Sequence, residues 1–359
     1  MRVVALLLVV ALAACDGAGS QGPIAEARVL DRWTSEGVEY VLTADGRLYQ
    51  VEADSEWVFV AVVFDPDEVE RSYVLEGGVR YRVDPGSGDR FPTTQTLDEG
   101  FEDLPTGADG LRALIDPARG WTTATMQSPE TPTVEAYVAL LRRVLEGSDF
   151  GDARVEPLSG GAARGSLALS STVPAPTPGM TTSKASLTTG LVYFVEGDDV
   201  WFEASYFVSG DAVPFSLADL EGDLLLSQAG IRVVVFEDGD LGVELKARDK
   251  PTFRAPSGQR TPFPTGQWVR VRWHLRLGVE DGHVRLWQDD ALLVDAPGPT
   301  LPFPTAIYNS LELGVSAHSF GTRPVRLLTD AVRLSPEPFS DGPSARGTIF
   351  PRHVETPPS

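Results

Sequence analysis

The chain has 359 residues, 42% of them hydrophobic, and a formal net charge of −21. That length holds one large or two modest domains. The charge excludes a general nucleic-acid binder, which needs a basic footprint, and direct attraction to anionic lipid; its plain use is solubility.

At the N-terminus, Met1-Arg2 is a positive start, residues 3–11 are an unbroken apolar run, and Leu12-Ala13-Ala14-Cys15 follows. A charged start, a short apolar core and small residues before a cut describe a secretory signal. The run is too short to span a bilayer as a helix. Leu-Ala-Ala-Cys resembles the lipobox of bacterial lipoproteins, which implies cleavage before Cys15 and lipidation of its thiol. Cys15 is the single cysteine, so no internal disulfide is expected. Two acyl chains at one site anchor stably. The expectation is a signal peptide over 1–14, a small-residue tether over 15–24, and a protein lipid-anchored in the bacterial cell envelope, periplasmic or surface-exposed.

Residues 25–90 read as a small β-hairpin domain. Residues 40–51 are two short strands around Asp45-Gly46, and residues 73–83 repeat the pattern around Gly77-Gly78. Two copies are too few for a solenoid or propeller. Pro85-Gly86-Ser87-Gly88 is a linker.

Residues 93–339 hold one helix and many strands. Thr131 or Thr133 caps the helix, Pro132 suits its first turn, and Gly147 stops it. Val134, Tyr137, Val138, Leu141, Val144 and Leu145 recur at helical spacing, which predicts a helix packed on the flank of a sheet. Strands are expected over 191–194, 200–208, 231–236, 241–247, 268–277, 283–288, 292–294, 311–317 and 325–334. Many strands with turn signals and few helices mean a sandwich or barrel. Residues 340–359 are polar and proline-bearing and read as a disordered tail.

Apolar alternation pairs two hairpins. A three-residue loop at Asp238-Gly239-Asp240 puts the odd positions of 231–236 and 243–247 on one face, with Arg232 opposite Lys246 and Val234 opposite Glu244. In the second hairpin, Val269, Val271, Trp273, Leu275 and Leu277 make one face, and Val284 and Leu286 join them if Leu275 sits opposite Val284. The other face then carries Arg270, Arg272, His274 and Arg276, with His283, Arg285, Trp287 and Asp289 from the partner strand. Arg272 lies opposite Trp287, close enough for a cation–π contact. An anionic sugar polymer suits such a stripe, since guanidinium forks match carboxylates and a Trp face stacks on a sugar ring. Alternating polar residues are equally expected on any half-exposed strand.

Trp268-Val269-Arg270-Val271 followed by Asp281-Gly282-His283-Val284-Arg285-Leu286-Trp287-Gln288-Asp289-Asp290 resembles the paired strands of concanavalin A-like jelly rolls. Ser183-Lys184-Ala185-Ser186-Leu187 and Gly197-Asp198-Asp199-Val200-Trp201-Phe202 resemble the branch that contains heparin-lyase-type polysaccharide lyases, as does Gly230-Ile231-Arg232 taken with Val243-Glu244-Leu245-Lys246. Phe101-Glu102-Asp103 and Thr329-Asp330-Ala331-Val332-Arg333-Leu334 resemble the paired terminal strands of such domains. The resemblance implies a mainly β fold: a two-sheet antiparallel jelly-roll sandwich with one flanking helix, preceded by the small β domain. It also implies a groove for a glycan, and leaves activity open because the fold hosts lectins, hydrolases, lyases and adhesion modules.

A uronate lyase needs a base, a neutraliser for the carboxylate and a proton donor. By residue type, His274 is the base, Arg232, Lys246 and Arg272 are neutralisers, and Tyr308 is the donor; His318 and Asn309 are further candidates. A glycosidase needs two facing carboxylates, and the nearest motif, Asp219-Leu220-Glu221, reads as a loop after Pro214. Glu102, Asp103 and Asp330 are candidate ligands for a structural Ca²⁺ if the terminal strands pair. The sequence therefore favours an envelope lipoprotein that binds polysaccharide, including uronate polymers, through Arg232, Lys246, Arg270, Arg272, Arg276, Arg285 and Trp287. A polysaccharide lyase acting by β-elimination and a non-catalytic adhesion or scaffold protein are the alternatives.

Overall fold

A computed structural model describes residues 28–35, 38–52, 57–62, 71–84, 86–178, 182–210, 214–222, 230–246, 251–319, 321–339 and 348–351. The expected signal, the tether, Cys15 and most of the expected tail lie outside the described residues.

Two small antiparallel sheets come first. β1 (Val29–Ser35), β2 (Val38–Thr43), β3 (Arg47–Val51) and β4 (Trp57–Val62) pair in chain order. β5 (Tyr73–Glu76), β6 (Val79–Val83) and β7 (Arg90–Pro92) form the second. The two similar hairpins thus fall in separate sheets. Gly77 and Gly78 both take positive φ, which a two-residue turn between right-twisted strands requires. The second sheet rests on later residues. Tyr73 meets Tyr193 edge-on at 5.1 Å, its hydroxyl accepts from Asn309 Nδ2 at 2.9 Å, and the Arg80 guanidinium lies 3.9 Å over Tyr193.

The next strands are β8 (Thr94–Glu99), β9 (Thr123–Gln127), β10 (Arg154–Ser159), β11 (Leu167–Val173), β12 (Ser183–Thr189), β13 (Asp199–Ser209) and β14 (Phe215–Glu221). After them come β15 (Gly230–Val235), β16 (Leu241–Leu245), β17 (Thr252–Arg254), β18 (Trp268–Arg276), β19 (His283–Gln288) and β20 (Ala291–Pro297). β21 (Ser310–His318), β22 (Val325–Ser335) and β23 (Thr348–Pro351) end the series. One sheet has nine strands, in the order β10-β11-β22-β13-β18-β19-β20, with β8 on β22 and β23 on β8. The other has seven, β17-β16-β15-β14-β21-β12-β9. From β11 to β14 successive strands alternate between the sheets, so the chain wraps one core as a jelly roll. Residues 348–351, expected in a disordered tail, instead add a strand to the edge of β8.

Each sheet turns its apolar positions inward. Val269, Val271, Trp273 and Leu275 of the nine-stranded sheet and Ile231, Val233, Val235, Leu311 and Leu313 of the other are essentially unexposed. The sheets approach closely at Gly314 (φ +109°), where a Cβ would stand 2.5 Å from Ser171 Oγ.

The expected helix spans Val134–Leu145, and its cap is Thr133, whose side chain accepts from the Ala136 N–H. Thr131 is spent on the Met126 carbonyl, so Pro132 precedes the cap rather than entering the first turn. Leu140 and Val144 are its buried residues, and it packs beside β9. A second helix, Gly107–Leu114, adds to the single one expected; Leu111 and Leu114 bury its short apolar face. Its Gly110 is obligatory, since a Cβ would fall 2.0 Å from the Pro105 carbonyl oxygen.

Candidate functional site

The polar face of the seven-stranded sheet is built by alternation. With Leu220, Ile231, Val243, Leu311 and Leu187 turned inward, Asp219, Glu221, Arg232, Glu244, Glu312, Ser186 and Lys184 turn outward. Asp219-Leu220-Glu221, read from sequence as a loop, is therefore the end of β14 with both carboxylates on one face. Asp219 pairs in register with Arg232 on one side and Glu312 on the other.

These groups form an ion-pair network across five strands. Lys184 Nζ reaches Glu312 at 3.2 Å, and Ser186 Oγ donates to the same carboxylate. Lys246 Nζ reaches Asp219 at 3.1 Å and also Glu221. Ser316 Oγ donates to Asp219 at 2.7 Å. Burial pushes the Asp219 carboxyl up, but Lys246, Arg232, Lys184 and the Ser316 hydroxyl together hold it below the usual carboxylate range. Burial would likewise depress Lys184, and Glu312 with Asp219 raises it instead. Asp219, Glu221 and Glu312 offer oxygens within 4.8 Å of one another. The two lysines already supply the positive charge there.

The register of β15 and β16 differs from the expected one by two residues. Arg232 faces Glu244, not Lys246, and Val234 faces Gly242. The loop has the expected length but starts one residue earlier: the Phe236 N–H donates to the Asp240 carbonyl across Glu237-Asp238-Gly239. Gly239 supplies the positive φ there, +83°. Parity is kept, so the apolar set still faces the core.

At this end of the face lies a cleft of about 400 Å³, lined by Phe215, Ser216, Arg232, Val234, Phe236 and Glu244, among others. Arg254 forms one wall. Its guanidinium lies 4.1 Å over the Phe236 ring and donates to Asp238 and Asp240.

The stripe on the outer face of the nine-stranded sheet forms in the expected register, Leu275 opposite Val284 and Arg272 opposite Trp287. Its contacts differ from those expected. Arg272 gives Nε to Glu203 at 2.8 Å, on the neighbouring β13, rather than lying over Trp287. Arg270 pairs with Asp290, Arg276 with Asp199, and Arg285 with Asp295. Trp287 instead runs near-parallel to Trp201, centroids 6.0 Å apart. Trp201 in turn stacks on His274 at 4.1 Å. His274 Nε2 meets Asp199 at 2.8 Å, and its Nδ1 is buried without a partner. Burial outweighs Asp199 and keeps the His274 pKa below its usual value.

No family model and no curated protein matches this chain. Solved structures align with it at low similarity. The endo-β-1,4-glucuronan lyase of the fungus Trichoderma reesei is 13% identical with a TM-score of 0.45, covering 68% of this chain and 95% of that one. Cellulose induced protein, Cip1, is 15% identical, with a TM-score of 0.41 over 54% and 89%. Alginate lyase A1-II′, of polysaccharide lyase family 7, is 12% identical, with a TM-score of 0.40 over 62% and 97%.

The residues proposed from sequence do not make one site. Arg232 and Lys246 stand on the seven-stranded sheet, while Arg270, Arg272, Arg276, Arg285 and Trp287 stand on the outer face of the other. Tyr308 is not on the face that carries His274. It has no exposure, its hydroxyl donates to the Thr300 carbonyl at 2.7 Å, and burial raises its pKa well above the usual value. A base and donor pair for β-elimination is therefore not assembled from these two. Asn309 is buried against Tyr73. His318 is buried between the Pro214 and Arg323 carbonyls.

The calcium candidates do not form a cation cage either. Glu102 accepts from the Ser166 and Leu167 N–H groups and the Ser166 hydroxyl, and Asp330 accepts from the Arg164 and Ala331 N–H groups. These carboxylates tie one loop, residues 163–167, to the sandwich. Their oxygens face N–H donors, which is the wrong polarity for a metal ligand set, and Asp103 does not join them within ligand distance. The residues as arranged do not fit Ca²⁺.

Sequence reasoning placed Asp219 and Glu221 in a loop, gave Lys184 no charge partner, and missed Glu312 and the Arg254 wall. The signal that could have found them is alternation: Asp219 stands between Ala218 and Leu220, and Glu312 between Leu311 and Leu313, as outward residues of a strand do.

Proposed function

We propose that this protein is a cell-envelope lipoprotein that binds polysaccharide through the jelly-roll sandwich. The observation that carries the reading is the cleft of about 400 Å³ on the polar face of the seven-stranded sheet. A volume in this range, with apolar walls and a few fixed polar groups, is how small-ligand sites are built. Sugars offer hydroxyls that both donate and accept, and apolar C–H faces. Arg232 and Arg254 supply donors, Glu244 and Asp238 supply acceptors, and Val234 and Phe236 supply apolar wall. Pairing holds these polar groups in place before a ligand arrives, which lowers the ordering cost of binding.

The test is retention of the detergent-solubilised full chain on a panel of immobilised polysaccharides. Retention on at least one supports the reading, and passage through all of them sinks it. The same mixtures, followed in the ultraviolet for unsaturated product, separate binding from β-elimination: a rise in absorbance replaces the binding reading with a lyase.

The anchor rests on Leu12-Ala13-Ala14-Cys15. Cys15→Ser should move the chain from the membrane pellet to the soluble fraction and abolish labelling by a radioactive fatty acid. A labelled, membrane-bound variant would exclude Cys15 as the lipid site.

A further inference from the structure

Among the described residues, the polar face that holds the cleft carries the cations Lys184, Arg232, Lys246, Arg254 and Arg260, and each has a carboxylate partner. Arg232 directs both Nε and Nη2 at Glu244. Arg254 is held from two sides, by Asp238 at the loop tip and by Asp240 behind it. Within the cleft lining, two guanidiniums stand against the three carboxylates of Glu237, Asp238 and Glu244.

A uronate brings its own carboxylate. To be bound, that group needs an open guanidinium fork or a surplus of positive charge. Among the described residues the cleft has no surplus, and the Nε–Nη2 edge of Arg232 is already on Glu244. Entry of a uronate would set its carboxylate beside Glu244 and Asp238, where like charges repel. The chain's overall charge of −21 opposes a polyanion at longer range as well. A neutral sugar meets no such opposition. An arginine has five N–H donors, of which Arg232 spends two on Glu244, and a carboxylate has more acceptor sites than one guanidinium fills. The paired groups keep hydrogen-bonding capacity for hydroxyls, while their positive charge is already balanced.

Resting on the polysaccharide-binding reading, we propose that the cleft takes a neutral glycan, and that Glu244 and Asp238 are the residues that exclude uronates. Glu244 occupies the Nε–Nη2 edge of Arg232 and neutralises its charge, and Asp238 guards the mouth from an exposed loop tip.

The experiment is affinity electrophoresis of the detergent-solubilised full chain at low salt. The gels contain a neutral β-glucan, a neutral mannan, polygalacturonate or alginate. The wild type should be retarded in at least one neutral gel and run freely in both polyuronates. Glu244→Gln keeps the side-chain shape and removes the charge, so it should gain at least tenfold in retardation by a polyuronate. Asp238→Asn, at an exposed position where folding is not at stake, should gain in the same direction, and salt should erase both gains. Retardation of the wild type by a polyuronate would overturn the proposal and leave the polysaccharide reading standing. So would neutral retardation with no polyuronate gain in either variant. Free migration in all four gels would overturn both.

Discussion

Arg232 on β15 donates both Nε and Nη2 to a single carboxylate oxygen of Glu244 on β16, at 3.0 and 2.6 Å. Both side chains are mostly buried, 22% and 16% exposed, so water screens the pair only in part. Truncating either partner leaves the other charge half-buried with its hydrogen bonds unmade. Arg232→Ala and Glu244→Ala should each cost about 1–3 kcal/mol. Arg232→Ala should cost more, because Arg232 also helps hold Asp219 ionised. In a double-mutant cycle measured by chemical denaturation, the coupling should exceed about 0.5 kcal/mol. Coupling near zero would mean that the pair is solvent-separated in solution.

Asp219 ties the network to pH. Its folded pKa lies below the ordinary aspartate value, because Lys246, Arg232, Lys184 and Ser316 together outweigh its burial. A depressed acid contributes stability that is fully present above the unfolded value, about 3.9, and is lost as pH falls through the folded value. The wild type should therefore lose stability on acidification below about pH 4. Asp219→Asn should be less stable at neutral pH and show a shallower slope in that acid window. Denaturation midpoints between pH 2 and about 6 measure both. Parallel curves for the two proteins would show that Asp219 is not held ionised by its neighbours.

Alternation along a strand fixes parity, and little beyond it. In the hairpin of β18 and β19 it fixed the faces, and Leu275 does lie opposite Val284. In β15 and β16 the same reasoning placed the inward residues correctly but slipped by two, because a shift of two leaves every apolar residue on its face. The position of Gly239 in its loop, where positive φ is needed, decides between the registers. Cross-sheet neighbours lie further out of reach. Nothing along the chain says that β13 flanks β18, so Glu203 was not visible as the partner that draws Arg272 away from Trp287. Burial of Tyr308 was hidden for the same reason: a tyrosine in an apolar stretch reads equally as a donor or as core.

Gly314 tests the sandwich itself. Its φ of +109° disfavours any other residue, and an added Cβ would meet Ser171 Oγ at 2.5 Å and the Ala185 carbonyl oxygen at 2.8 Å. Ser171 belongs to the opposite sheet, so the clash would push the layers apart, while Ala185 is backbone that cannot swing away. Gly314→Ala should cost about 2–4 kcal/mol, from backbone conformation and overpacking together. A thermal melt reads this as a fall in Tm of many degrees. An unchanged Tm would mean that the sheets are further apart at this point than the structure has them.

The two outer faces compete for the glycan, and one pair of substitutions separates them. On the nine-stranded sheet, Trp287 lies alongside Trp201, and Trp201 has a face covered by His274. The surrounding arginines are paired with Glu203, Asp199, Asp290 and Asp295. That face has stacked rings and neutralised charge. On the seven-stranded sheet, the cleft gives a sugar walls as well as a floor, and Phe236 contributes apolar surface to it. Trp287→Ala should leave glycan retention within about twofold. Phe236→Ala should lower it at least tenfold, about 1.4 kcal/mol of binding free energy. Titration calorimetry on whichever polysaccharide retains the wild type gives both numbers, with a thermal melt of each variant to show that the fold survives. The reverse pattern, loss with Trp287→Ala and retention with Phe236→Ala, would move the binding site to the other sheet and make the paired arginines there part of it.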